Sequence, residues 1–82
     1  MNLEIIAVDK SIFCGEVSEV TVPGSGGRFQ ILLDHAPVMS VLTKGEVVYV
    51  QDGVTHVWAI KHGVVSVEDN QVVILDRSRE GS

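Results

Sequence analysis

A single cysteine, Cys14, stands in the 82 residues, so no disulfide can close within the chain. It is expected to be a small buried hydrophobe. Cations are scarce: six Lys and Arg against eleven Asp and Glu, for a formal net charge of -5. Nucleic-acid binding needs clustered cations that displace phosphate counterions, and six scattered ones do not supply them. The same acidic balance disfavours anionic lipid headgroups and argues against direct lipid insertion. No apolar run approaches the roughly 20 residues of a membrane helix. Met1-Asn2-Leu3-Glu4 also lacks the basic start and apolar core of a signal peptide. These absences predict a cytosolic chain, one that a partner could still hold beside a membrane. Helix-length periodic segments, internal repeats, linkers and low-complexity tracts are missing as well.

What is present points to strands. A chain this short is one domain, and it buries only about 60–65% of its unfolded surface. Its residues are 45% hydrophobic but only 5% aromatic, and valine carries much of the difference. Stiff β-branched side chains fit a pleated, half-buried surface. Turn signals recur at Asp9-Lys10, Gly15, Pro23 to Gly27, Asp34 to Pro37, Lys44-Gly45, Asp52-Gly53, His62-Gly63 and Asp69-Asn70. Between them lie short runs: Leu3–Val8, Val17–Val22, Phe29–Leu33, Glu46–Gln51, Val54–Lys61, Val64–Val67 and Val72–Leu75. Val38–Leu42 fits one helical turn or a strand. A strand is preferred, because Pro37 opens the run and Lys44-Gly45 closes it. The pattern predicts an all-β domain over residues 1–76: a small flattened sandwich or barrel of about 8–10 short, mostly antiparallel strands. Residues 77–82 form a polar tail expected to fray. Asp52-Gly53 predicts a type I′ hairpin and Asp69-Asn70 a second hairpin tip. Val54, His56, Trp58 and Ile60 share one strand face, and Thr55, Val57 and Ala59 the other. Both faces carry apolar groups, which anticipates either tight closure or a covering partner.

Residue types that could do chemistry do not assemble into a motif. Cys14 with His35, His56 or His62 fits no nucleophile spacing. The histidines lack metal-ligand spacing, and no metal is expected. Glu16 and Glu19 fall on opposite faces of a strand and form no acid/base pair. Gly24-Ser25-Gly26-Gly27 lacks the Lys-Ser or Lys-Thr and the following helix of a phosphate-binding loop, so it predicts a tight turn. Lys44 could be the modified lysine of a lipoyl or biotinyl carrier sandwich, but Thr43-Lys44-Gly45 matches neither known context. A generic β-sandwich adaptor is the other rival. In His35-Ala36-Pro37, Pro37 biases Ala36 toward extended backbone and fixes the exit of the chain. A titratable ring at such a rigid loop end is a natural contact point.

The order Phe13-Cys14-Gly15-Glu16, Val20-Thr21-Val22-Pro23-Gly24, Phe29-Gln30-Ile31-Leu32, His35-Ala36-Pro37, then Leu42 and Gly45, resembles the N-terminal β-sandwich domain of the epsilon subunit of F-type ATP synthase. The resemblance runs from Leu3 to about Asp76. It implies a non-catalytic subunit of the rotor, without cofactor, that couples the gamma subunit to the membrane c-ring during proton-driven ATP synthesis. It implies a place on the cytoplasmic face of a bacterial inner membrane, as a peripheral part of the complex. By the same resemblance, Arg28, Asp34, His35, Ala36 and Pro37 would face the c-ring. Val38, Met39, Ser40, Val41 and Leu42 would lie near gamma. Arg28 stands where many members carry an acid, Leu33-Asp34 where Pro-Gly often stands, and Lys61-His62-Gly63 where Ser-Gly-Gly is common. Members typically continue into a helical hairpin that restrains hydrolysis and in some binds ATP. No helical segment appears before Ser82, so neither property is expected of these residues.

Overall fold

A computed structural model describes residues 1–78 of the chain. Among the described residues nine strands form: β1 (Asn2–Ala7), β2 (Lys10–Glu16), β3 (Glu19–Gly24), β4 (Gly27–Ile31), β5 (Val38–Leu42), β6 (Gly45–Gln51), β7 (Val54–Ile60), β8 (Gly63–Glu68) and β9 (Gln71–Asp76). They make one sheet in the order β2-β1-β9-β8-β5-β3-β6-β7, with β4 on β3. All pairs are antiparallel except β1 with β9. The sheet curls into two facing halves that meet where Gly24 pairs with Leu42. The expected all-β sandwich is therefore present, and Val38–Leu42 is a strand.

Alternation decides which side chains fill the space between the halves. Leu3, Ile5, Val20, Val22, Ile31, Leu42, Val47, Val65 and Ile74 are fully enclosed there. Phe13 packs on Tyr49 with ring centroids 4.7 Å apart and planes tilted by 41°, and Tyr49 lies nearly parallel to His56 at 5.2 Å. This aromatic row links β2 in one half to β6 and β7 in the other. Near Ile60 the halves are tied by a polar bond. Trp58 Nε1 donates to the buried Asp76 carboxylate at 2.9 Å. The second Asp76 oxygen accepts the Ser78 backbone N–H at 2.8 Å.

Several expectations need correction. Cys14 is exposed, because β2 is an edge strand whose outer positions face solvent. The sequence reading omitted β2 altogether: Lys10, Ser11 and Gly15 hide the strand pattern. Glu16 and Glu19 belong to different strands, β2 and β3, rather than to two faces of one. The run Phe29–Leu33 ends as a strand at Ile31, and Leu32 and Leu33 enter a turn. Arg77 and Ser78 are fastened. Arg77 N–H donates to the His62 carbonyl at 3.0 Å. The Ser78 hydroxyl oxygen accepts the Lys61 N–H at 2.7 Å. The rest of the expected polar tail, residues 79–82, lies outside the described residues.

The hairpin tips follow the backbone rules. Asp52 and Gly53 have φ of 51° and 78°, and Asp69 and Asn70 have 49° and 59°, as type I′ turns require. A third such tip joins β1 to β2 through Val8 and Asp9, at φ 50° and 60°. Valine is a poor residue for that conformation, and no sequence rule would have placed it there.

Candidate functional site

The turn after β4 carries the loop that the sequence singled out. His35 N–H donates to the Leu32 carbonyl at 3.1 Å, closing a four-residue turn. Its third residue, Asp34, has φ 63°. A positive φ at that position is the mark of a type II turn and is usually supplied by glycine. Aspartate tolerates it better than most residues. Asp34 is also anchored from outside the turn. Its N–H donates to Asn70 Oδ1 at 2.6 Å, and Asn70 Nδ2 donates to Asp34 Oδ1 at 3.0 Å. The loop is thus pinned to the β8–β9 hairpin tip. His35 Nδ1 lies 2.7 Å from the Ala36 carbonyl oxygen, a contact in which the ring nitrogen must donate. The imidazole rests beside Phe29, with centroids 6.3 Å apart.

This pinned loop presents apolar side chains. Leu32 is 47% exposed and Leu33 63%. Neither was among the expected contact residues, because the sequence reading placed both in a strand. Two adjacent leucines before Asp34-His35 were the available signal. Asp34, Ala36 and Pro37 are exposed beside them, and His35 is half-buried.

Arg28 is also exposed, but it is turned away from this loop. Its guanidinium donates to the Glu46 carbonyl at 3.0 Å. It sits near the Gly24–Gly27 end of β4, whereas the pinned loop leaves from Ile31 at the other end. The expected contact residues therefore form a cluster at Asp34 to Pro37 and a separate position at Arg28.

β5 leaves Pro37 directly and divides its side chains strictly. Met39 and Val41 project outward, 75% and 58% exposed. Leu42 is fully enclosed in the core and Val38 packs against it. Ser40 is half-buried, and its hydroxyl donates to the Val41 carbonyl at 3.2 Å. Of the five residues expected near gamma, Met39 and Val41 offer the side-chain surface. Their row continues across the sheet, since Val41 pairs with Val64, Val64 with Leu75 and Leu75 with Ile6.

The other candidates do not join this loop or the β5 row. Lys44 follows β5, in a connection between strands that do not pair with each other, so it is not the hairpin-tip lysine of a carrier sandwich. His56 is stacked on Tyr49, and the His62 main chain is bonded to Arg77 and Ser78. Among the described residues no group of His, Cys, Asp and Glu is arranged to hold a metal ion. Tyr49 belongs to the core, and burial raises its hydroxyl pKa from 10.0.

Comparison with known proteins agrees with this geometry. The family model described as the ATP synthase delta/epsilon chain β-sandwich domain matches residues 1–81. An ATP synthase epsilon chain from Anaeromyxobacter sp. (strain K) is 34% identical over 82 residues, all of this chain and 62% of that one. The epsilon chain of Nitratidesulfovibrio vulgaris (strain DP4) is 36% identical over 80 residues, 98% of this chain and 60% of the relative. The chain thus spans about three-fifths of the length of the curated relatives it matches. Among solved structures, a chain of the Euglena gracilis mitochondrial ATP synthase (OSCP/F1/c-ring) superposes with a TM-score of 0.84. It is 23% identical, over 90% of this chain and 48% of the other. A chain of the Tetrahymena thermophila mitochondrial ATP synthase central stalk and c-ring gives a TM-score of 0.76 at 17% identity, over 90% and 60% of the two chains.

Proposed function

Since the chain belongs to the β-sandwich domain family of ATP synthase delta and epsilon chains, we propose that it is the part of a rotor subunit that couples gamma to the c-ring. In this reading it performs no chemistry. It works as a stiff body with two contact surfaces, on the cytoplasmic face of a bacterial inner membrane. The leucine-tipped loop Leu32 to Pro37 rests on the ring, and Arg28 supplies a separate ring contact. Met39 and Val41, with the row through Val64, Leu75 and Ile6, meet gamma.

One observation carries the reading: the loop at Asp34-His35 is held by its own turn, by Asn70 and by a ring contact, yet it exposes two leucines. A tip both rigid and apolar suits a contact that must transmit force without yielding. Rigidity reduces the ordering cost of association, which area burial must otherwise offset. The outward apolar row provides burial worth about 25 cal/mol per Å² before that cost.

The test is binding to an isolated gamma subunit without nucleotide, followed by calorimetry. Association at about micromolar concentration is expected, with a negative heat-capacity change from apolar burial. Met39→Asp combined with Val41→Asp should abolish it while the circular dichroism of the domain is retained. No binding by the unaltered chain would refute the assignment.

A further inference from the structure

Among the described residues β7 is the last strand on its side of the sheet and pairs only with β6. The two-residue Asp52-Gly53 turn makes Gln51 and Val54 a hydrogen-bonded pair, and pairs alternate from there. His56, Trp58 and Ile60 therefore direct their N–H and C=O groups at β6. Thr55, Val57 and Ala59 direct theirs away from the sheet. No backbone bond outside the ladder reaches these three among the described residues. Register is unbroken from Gln51–Val54 to Gly45–Ile60, so no bulge twists this edge.

Natural sheets usually guard such an edge with a charge, a proline or a bulge. β2 has Lys10 at one end, Glu16 at the other and a register shift opposite it between Ile5 and Ile6. β4 has Arg28. β5 meets β3 at Leu42. β7, Val-Thr-His-Val-Trp-Ala-Ile, has none of these and is among the longest strands in the sheet. Its outward face carries Thr55, Val57 and Ala59; Val57 is 53% exposed and stands next to Val48 of β6.

The far end of this edge has an electrostatic character of its own. Beside Ala59 and Ile60 opens a groove of about 430 Å³, flanked by Lys44 and Lys61. Neither lysine forms an ion pair among the described residues. Glu46 also lines the groove, leaving one carboxylate against two ammonium groups. In a chain of net charge -5 this is a local excess of positive charge.

We propose that β7 accepts an added strand: an extended segment of a partner protein, antiparallel to β7, whose leading residue carries a carboxylate into the groove between Lys44 and Lys61. Main-chain bonds to Thr55, Val57 and Ala59 provide the affinity, as in other strand-addition complexes. The carboxylate fixes direction and register, because an antiparallel segment begins beside Ile60. Val57 receives an apolar side chain of the segment. The site is separate from the leucine-tipped loop and from the Met39–Val41 row but adjoins Arg28, which bonds to the Glu46 carbonyl; its test uses neither gamma nor the ring, so its failure and that of the rotor assignment are distinguishable.

The test uses the 82-residue chain and a soluble peptide of about eight residues, a typical strand length, with glutamate first and then alternating valine and threonine. Amide exchange followed by NMR should slow about tenfold or more at Thr55, Val57 and Ala59 at saturating peptide. A peptide N-methylated at alternate positions should not bind. Replacing its glutamate by glutamine, or Lys44 and Lys61 both by Glu, should weaken binding about tenfold. Val57→Lys, at an exposed position, should keep the fold and remove binding. No slowing at about 1 mM peptide, slowing centred on β5, or equal binding of the N-methylated peptide would overturn the proposal. Equal affinity of the glutamine peptide would overturn the carboxylate. Self-association through β7 without peptide would overturn the choice of partner.

Discussion

Individual residues here are informative where they depart from the general rule. Tyr49 is nearly enclosed and its hydroxyl pKa is raised from 10.0 by burial. The unfolded chain then ionises this group at a lower pH than the folded chain does. Stability is unaffected below about pH 10 and falls as pH rises through the folded value. Tyr49→Phe should flatten that alkaline decline, which thermal melts between pH 9 and 11 would show as about one less ionisation per molecule. Cys14 was misjudged for a plain reason: cysteine is usually buried, but the edge position of β2 overrides that tendency. Asp34 shows the reverse. A turn was legible at Asp34 to Pro37, but only the structure shows that aspartate adopts the left-handed backbone glycine would supply, and that Asn70 steadies it.

At the scale of elements, strand identity was legible wherever β-branched residues ran between turn signals, and both predicted hairpin tips formed. The β1–β2 turn was legible only in part: Asp9-Lys10 was a turn signal, but Val8 disfavours the positive φ it adopts. Val8 is exposed and makes up no part of the core. Val8→Gly should therefore remove strain worth about 1–2 kcal/mol, less a smaller loss to chain entropy. A rise in melting temperature of about 4–8 °C is the expected outcome. Gly63 is the opposite case. A Cβ there would run into the Leu75 carbonyl oxygen across the β8–β9 pair. Gly63→Ala must push two paired strands apart and should destabilise by about 3 kcal/mol or more, measurable as a fall in the denaturation midpoint.

On the scale of the whole molecule, the first and last strands lie side by side. β1 pairs in parallel with β9, and the Trp58–Asp76 bond ties the two halves near Ile60. This closure makes the domain a stiff unit, with the leucine-tipped loop and the Met39–Val41 row as separate features of one body. Leu32→Ser with Leu33→Ser should test the loop without disturbing the core. Both side chains are exposed, so stability should stay within about 0.5 kcal/mol. Binding to purified c-ring in detergent should fall at least about tenfold if the leucines are the ring contact. An unchanged affinity would move the contact elsewhere on the surface.

The sequence by itself determined the all-β class, the hairpin turns at Asp52-Gly53 and Asp69-Asn70, and the ordered motif pattern that identifies the family. Each of these depends on local backbone preference or on side chains read in order. Tertiary structure alone decided which strands became edges, which side chains of Val38 to Leu42 face outward, that Arg28 turns to Glu46, and that Leu32 and Leu33 crown a pinned loop. These depend on which distant strands pair, and hence on which face of each strand the closing sheet excludes from water.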